Sequence, residues 1–256
     1  MTAALFLLDA GRLTGATPGQ TIVVDGAEGR HAATVKRIEP GEPVLLADGS
    51  GVVAECETVA AAADRLEVRI VAVREEHPGR PRATLVQALA KGDRDDQAIE
   101  AATELGVDRI VPWQAERSIV QWRGERGAKA RRKWEQVVRA AAKQSRRATV
   151  PVVAELLDRK RLASLADANA NVALLVLHED ADEALAGLDL SAAGEVVLVV
   201  GPEGGISPAE LDALRDVGAR VVRLGPHVLR ASSAGPAAIS VVMAATRWTQ
   251  HPAADD

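Results

Sequence analysis

The sequence predicts an α/β protein in two parts, a small β-rich barrel followed by a parallel sheet with helices on both faces. Three observations predict it. Residues 1–73 carry short β-prone runs broken by tight turns, and from residue 83 onward strand-sized apolar runs alternate with helix-forming segments. Between them Glu75-Arg82, with Pro78, Gly79 and Pro81, reads as a linker, so the expected domains are 1–73 and 83–256, joined by 74–82.

In the first part the runs are Thr21-Val24, Val44-Leu46, Val52-Cys56 and Leu66-Val73, separated by Asp25-Gly26, Pro40-Gly41 and Asp48-Gly49. In the second the expected order is strand 83–89, helix 94–105 ended by Gly106, strand 107–111, and a basic helix. Then follow strand 151–154, helix 159–168, strand 172–177, helix 180–186, strand 195–200, helix 208–217, strand 220–224 and a last helix over 235–248. Periodicity alone carries this no further than a Rossmann-like sheet.

A chain of 256 residues, 47% of them apolar, has ample material for a packed core. Its longest apolar runs, Leu174-Leu177 and Val196-Val200, are too short to cross a membrane, and Ala3-Leu8 lacks the basic flank and length of a signal peptide. The expectation is a soluble, cytoplasmic protein. The single cysteine, Cys56, offers neither a disulfide nor metal-ligand spacing and reads as a buried strand residue, so no metal is expected.

The stretch Gly201-Pro202-Glu203-Gly204-Gly205 follows an apolar run and leads into Ser207-Pro208-Ala209-Glu210. Ser207 fits an N-cap, Pro208 fits N1, and Glu210 completes a capping box, which specifies the helix start. Three glycines in the loop before it open main-chain N–H groups to a ligand at the end of a strand; the alternative is a plain tight turn. A second loop, Leu224-Gly225-Pro226-His227-Val228-Leu229-Arg230, follows the run Val221-Leu224. The two could converge on one pocket.

Charge is segregated. From Arg117 to Arg147 eleven Lys or Arg stand against Glu125 and Glu135, a local net of +9 in a chain whose net charge is −5. Arg132, Arg139, Lys143, Arg146 and Arg147 fall largely on related helical turns, which suits phosphate contact; the alternative is a solvated helix face. With one Phe, four Trp and no Tyr, the chain lacks the aromatic platforms of sheets that stack single-stranded bases. Trp113, Trp122 and Trp134 lie in or beside the basic segment as packing residues or base stackers.

These two loops, together with Ala88-Leu89-Ala90-Lys91-Gly92-Asp93, Glu104-Leu105-Gly106-Val107 and the stretch ending Gln144-Ser145-Arg146-Arg147, closely resemble the bacterial 16S ribosomal RNA uridine-N3 methyltransferase family. That family belongs to the SPOUT class of S-adenosylmethionine enzymes. The resemblance covers nearly the whole chain, most strongly Leu85 to Met243. It implies a PUA-like RNA-binding barrel followed by a parallel-sheet domain whose C-terminal segment threads a trefoil knot, an exception to unknotted topology. It further implies a homodimer acting on 16S ribosomal RNA in the small ribosomal subunit.

Carried over residue by residue, the resemblance places S-adenosylmethionine against Gly201, Pro202, Glu203, Gly204 and Gly205 and against Leu224, Gly225, His227, Val228, Leu229 and Arg230, with Leu177 and His178 nearby. Where the family commonly has Leu-Arg-Thr-Glu-Thr-Ala, this chain has Leu229-Arg230-Ala231-Ser232-Ser233-Ala234, and Ser232 or Ser233 is left to cap the last helix or bond the cofactor. RNA contacts would come from Arg30, His31, Lys36 and Arg37, from Lys91, Arg94 and Arg117, and from the basic helix; the usual Arg before the first strand is replaced by Ala3-Ala4. Methylating N3 requires a proton acceptor and a stabiliser for charge spreading onto the flanking carbonyls. Arg230 is the candidate stabiliser and Glu203 the candidate base, with His178 and His227 as alternatives. A non-catalytic RNA-binding or assembly factor is the second reading, and a dinucleotide enzyme the third, disfavoured because neither loop has G-x-G-x-x-G spacing.

Overall fold

The computed structural model describes residues 3–158, 161, 165 and 171–249. The chain divides into two compact units, Met1–Pro78 with Ala142–Val150, and Gly79–Ala141 with Pro151–Asp256. The segment Ala142–Val150 thus sits with the first unit, although the sequence placed it in the second.

The first unit is a mixed five-stranded sheet of β1 (Ala4–Leu7), β2 (Thr21–Val24), β3 (Pro43–Ala47), β4 (Val52–Ala62) and β5 (Arg65–Glu75), in the order β1-β3-β4-β5-β2. Only β1 with β3 is parallel. Both faces of β1 are buried, which explains its unbroken apolar run. Phe6 and Leu8 join a core with Val44, Leu46, Cys56, Leu66, Val68 and Ile70, while Leu5 and Leu7 pack with Ala47, Val53 and Ala148 on the other side. Burial pushes the Cys56 thiol up to about 12, so it stays a neutral core residue. Between β2 and β3 the chain forms α1 (Gly26–Arg30) and a π-helical turn, His31–Lys36, which the sequence did not announce. A Cβ at Gly29 would lie 2.5 Å from the carbonyl oxygens of both Val24 and Asp64, so only glycine lets this turn pack on the sheet.

The second unit is a seven-stranded, wholly parallel sheet of β6 (Arg82–Ala88), β7 (Arg109–Trp113), β8 (Val152–Val153), β9 (Val172–Leu177), β10 (Glu183–Ala184), β11 (Glu195–Val200) and β12 (Arg220–Arg223). Their order is β10-β12-β9-β11-β6-β7-β8. Helices α2 (Arg94–Glu104), α3 (Gly124–Gln144), α4 (Pro208–Asp216) and α5 (Ala231–Ala245) complete the alternation. The interior of β11, Val196–Val200, is buried throughout, the pattern of a central parallel strand. Trp113 and Trp134 are buried, and Trp122 meets Trp134 edge-to-face at 5.0 Å, so packing rather than base stacking occupies Trp113 and Trp134.

Two expectations change. The helix placed at 180–186 is replaced by β10 and a 3-10 turn, Leu185–Gly187, because β10 pairs with β12, Arg220 bridges to Glu183, and Leu185 is buried. The last helix begins at Ala231 instead of 235 and encloses Pro236, with a separate 3-10 turn at Arg247–Thr249. The helix expected over 159–168 lies, apart from residues 161 and 165, outside the described residues.

Candidate active site

All strands of the second unit run the same way, so their carboxyl ends share one edge. Register pairs Val200 with Gln87, Val199 with Val176, and Val222 with Leu177, which brings the segments after β6, β9, β11 and β12 to that edge. The connection order reverses there, since β11 inserts between β6 and β9, and such a point is where open α/β sheets bind ligands. A cleft of about 730 Å³ lies among these loops. Leu177, His178, Gly201, Pro202, Glu203, Gly204 and Gly205 line it, as do Leu224, Gly225, His227, Val228, Leu229 and Arg230. Arg94 and Arg117, expected as RNA contacts, also line it.

The glycine loop is built by short-range chemistry. The Ser207 hydroxyl accepts from the Glu210 N–H at 3.3 Å, Glu210 Oε2 accepts from the Ser207 N–H at 3.1 Å, and Pro208 occupies the first turn. Gly205 has φ 74°, and its N–H donates to the Pro202 carbonyl at 2.9 Å, closing the turn. A Cβ at Gly201 would fall 2.7 Å from Ile206 Cγ1, so the residue that leaves β11 has no room for a side chain.

Opposite charges meet at the mouth. Arg94 Nη1 donates to Glu203 Oε1 at 2.8 Å. Partial burial raises the Glu203 pKa, but N–H groups of Glu203 itself and Lys91, together with the Arg94 guanidinium, outweigh it and hold the carboxyl below its ordinary value. A carboxylate held ionised in this way is a weak proton acceptor. The His178 Nδ1 accepts from the Asp180 N–H at 3.2 Å, which leaves Nε2 to carry the proton in the neutral ring.

Arg230 is the N-cap of α5, with extended φ −66° and ψ 152°, so its side chain leaves the helix at the cleft. The cap makes no side-chain hydrogen bond, and the first turn holds no acidic residue. Ser232 and Ser233 therefore do not cap the helix; both lie inside its first turn, and Ser232 is not among the residues lining the cleft. Ala231 and Ala234 also line the cleft, because the helix starts a turn earlier than the expected residue 235. A Cβ at Gly235 would fall 3.1 Å from Leu85 Cδ1, so this glycine lets α5 lie close against β6. Sequence reasoning also missed Arg223, Glu179 and Asp180 as cleft residues. Their signal was only their place just before or after strand ends.

The remaining basic candidates fall into two groups. Arg132 is exposed and Arg139 half-buried on the part of α3 that belongs to the second unit, and Lys91 is exposed after β6. Arg30, Lys36 and Arg37 are exposed in the first unit, as is Arg146, while Arg147 is half-buried. Lys143 and His31 are engaged inside that unit. Lys143 Nζ lies 2.8 Å from both oxygens of Glu28 and 5.8 Å from the Phe6 ring centre, and His31 stands edge-on to the same ring. Burial, then the neighbouring Lys143, lowers the His31 pKa, so the ring is neutral at neutral pH. Among the described residues no helix is long and apolar enough to cross a membrane, and no group of His, Cys, Asp or Glu could hold a metal ion.

A family model described as an RNA methyltransferase domain matches residues 77–243, and a second, an RNA methyltransferase PUA domain, matches residues 24–71. The ribosomal RNA small subunit methyltransferase E of Mycobacterium tuberculosis is 47% identical over 251 residues, covering 97% of this chain and 94% of its own length. Its counterpart in Bacillus subtilis is 28% identical over 231 residues, covering 87% and 89%. The crystal structure of the ribosomal RNA small subunit methyltransferase E from Neisseria gonorrhoeae, bound to S-adenosyl methionine, matches with a TM-score of 0.83 at 29% identity, over 95% of this chain and 98% of that one. Fold, cleft and matches define an RNA methyltransferase of the SPOUT class with a PUA-like domain. The chain belongs to the ribosomal RNA small subunit methyltransferase E family.

Proposed function

We propose that this protein transfers a methyl group from S-adenosylmethionine to N3 of a uridine in 16S ribosomal RNA, on the assembled small ribosomal subunit, in the cytoplasm and as a homodimer. The observation that carries this reading is the convergence of two glycine-bearing loops and the open start of α5 on one cleft rimmed by Arg94, Arg117, Arg223 and Arg230. The cleft's volume is in the range of small-molecule sites, and most of the residues lining it lie in loops. Gly225 has no heavy atom outside its immediate neighbours within 4 Å of where a Cβ would be, which leaves open space on that side of the loop. These features suit a donor gripped chiefly by backbone.

The donor supplies a methyl group on a sulfonium centre, which departs as a neutral thioether. On the acceptor, N3 must give up its imide proton, which passes to solvent water, while negative charge spreads onto the flanking carbonyl oxygens. Arg230, fixed at the helix start, is the group we assign to that charge. Glu203 we assign to holding Arg94 at the mouth, because an ion-paired carboxylate of lowered pKa has little basicity to offer. The sheet order, with β11 inserted between β6 and β9 and α5 returning to lie against β6, supports a knotted threading of the C-terminal segment. Exposed Val228 and Leu229 beside the cleft, and exposed Trp248, are the apolar groups a second copy would cover.

The test is transfer of labelled methyl from S-adenosylmethionine to small subunits from cells lacking this protein, with the modified nucleoside identified by mass. Label in N3-methyluridine of 16S RNA is the expected result. Donor binding without transfer to subunits or naked 16S RNA would redirect the search to another RNA, and loss of both would favour an assembly factor.

A further inference from the structure

The segment after β7 holds two side chains that the reaction chemistry does not require, and both act on the glycine loop. Arg117 Nη1 donates to the Gly204 carbonyl at 3.1 Å. Gly204 lies so close that a Cβ on it would be 3.2 Å from Arg117 Cβ and 3.4 Å from the Arg117 carbonyl oxygen. Unlike Gly205, Gly204 has no positive φ, so its glycine is explained by this close approach rather than by backbone conformation. The preceding residue grips the other end of the same loop. The Glu116 N–H donates to Glu210 Oε1 at 2.7 Å, and Glu116 Oε2 lies 2.9 Å from the Ser207 hydroxyl. Ala115 is buried in one apolar cluster with Ile206, which ties the brace to the core beneath the loop.

We infer that the dipeptide Glu116-Arg117 is a brace that sets the donor loop Gly201–Gly205 before any ligand arrives, and that Arg117 is a positioning residue rather than a contact to RNA. The inference rests on reading the cleft as the donor site. Arg117 fixes the loop's apex while Glu116 fixes its exit into α4, so the loop's main-chain groups are held in one arrangement between two anchors. A preorganised loop does not have to be ordered when the donor binds, and that saving appears as affinity. Arg117 spends one arm of its exposed guanidinium on a carbonyl of its own chain and is correspondingly less free to pair with phosphate.

The test compares Arg117→Ala and Arg117→Lys with the unaltered full chain. Calorimetric titration with S-adenosylhomocysteine should show affinity weakened about tenfold in the alanine variant, the loss expected for one charge-assisted hydrogen bond and its packing, and partly recovered in the lysine variant. Affinity for small ribosomal subunits, and its dependence on salt, should not move. Amide hydrogen exchange at Gly204 to Ser207, measured without ligand, should quicken in Arg117→Ala. Unchanged exchange there, or unchanged S-adenosylhomocysteine affinity together with weaker, less salt-sensitive subunit binding, would overturn the proposal. Failure of the unaltered protein to bind S-adenosylhomocysteine would instead defeat the donor-site reading, and the exchange measurement would still decide whether Arg117 braces the loop.

Discussion

Glu203 and Arg94 set the charge at the mouth of the cleft, and their pairing fixes what pH does there. With the Glu203 pKa below the ordinary carboxylate value, the pair is fully formed at neutral pH and is lost only as pH falls through that lowered value. Its titration therefore leaves no limb in the pH–rate profile between about pH 6 and 8. Glu203→Gln should preserve donor binding and leave the shape of the profile in that window unchanged, even where it lowers the rate by freeing Arg94. A limb in that window that disappears in the variant would make Glu203 the base after all. The glycines and the capping box around this residue were legible because each is decided within a few positions of the chain. Arg94 as the partner of Glu203, and Glu116 as the partner of Ser207, were not, because those contacts join residues 109 and 91 positions apart and nothing local marks them.

At the scale of elements, α2 shows how a helix can carry an internal cost. Asp95, in its first turn, is buried, and its oxygens accept from the N–H groups of Ala90 at 3.4 Å and Asp96 at 3.0 Å. Burial raises its pKa to about 6, against the partial relief those bonds give. Because the folded-state value lies above the unfolded one near 3.8, the folded protein holds the proton more tightly, and stability falls as pH rises from about 4 to about 6. Asp95→Asn keeps an acceptor and removes the charge, so at pH 8 it should stabilise the chain by on the order of 2 kcal/mol, with the gain gone at pH 4. Urea titrations at the two pH values check this; an equal effect at both would mean that Asp95 is ionised at no cost. Strands with uninterrupted apolar runs, such as β9 and β11, were legible to the residue because burial on both faces leaves nothing else for such runs to do. The short edge strand β10 was not, since two residues carry too little pattern to outweigh the helix-forming composition around them, and pairing with β12 decided the matter.

At the scale of the whole molecule, the basic segment that looked like one helix face is divided between the two units, and its members do different work. Arg132 is exposed in the second unit and Lys36 in the first, both available to phosphate, whereas Lys143 spends its charge on Glu28 and the Phe6 ring. Counting charge along the sequence could not separate these cases, because Glu28 lies 115 positions from Lys143. The distinction is measurable as a slope. A lysine or arginine that neutralises a phosphate releases counterions, so its removal lessens the fall of log affinity with log salt by roughly 0.7–0.9. Arg132→Ala and Lys36→Ala should each weaken binding to small ribosomal subunits and each flatten that slope by about this amount. The two effects should add in the double variant, since the sites share no partner. Lys143→Ala should behave otherwise, lowering stability by roughly 1–2 kcal/mol through the stranded Glu28, read as a lower urea midpoint, while leaving the slope for the folded protein unchanged. If Lys143→Ala flattens the slope and Arg132→Ala does not, phosphate contact lies at the paired lysine, and the exposed face of α3 is merely solvated.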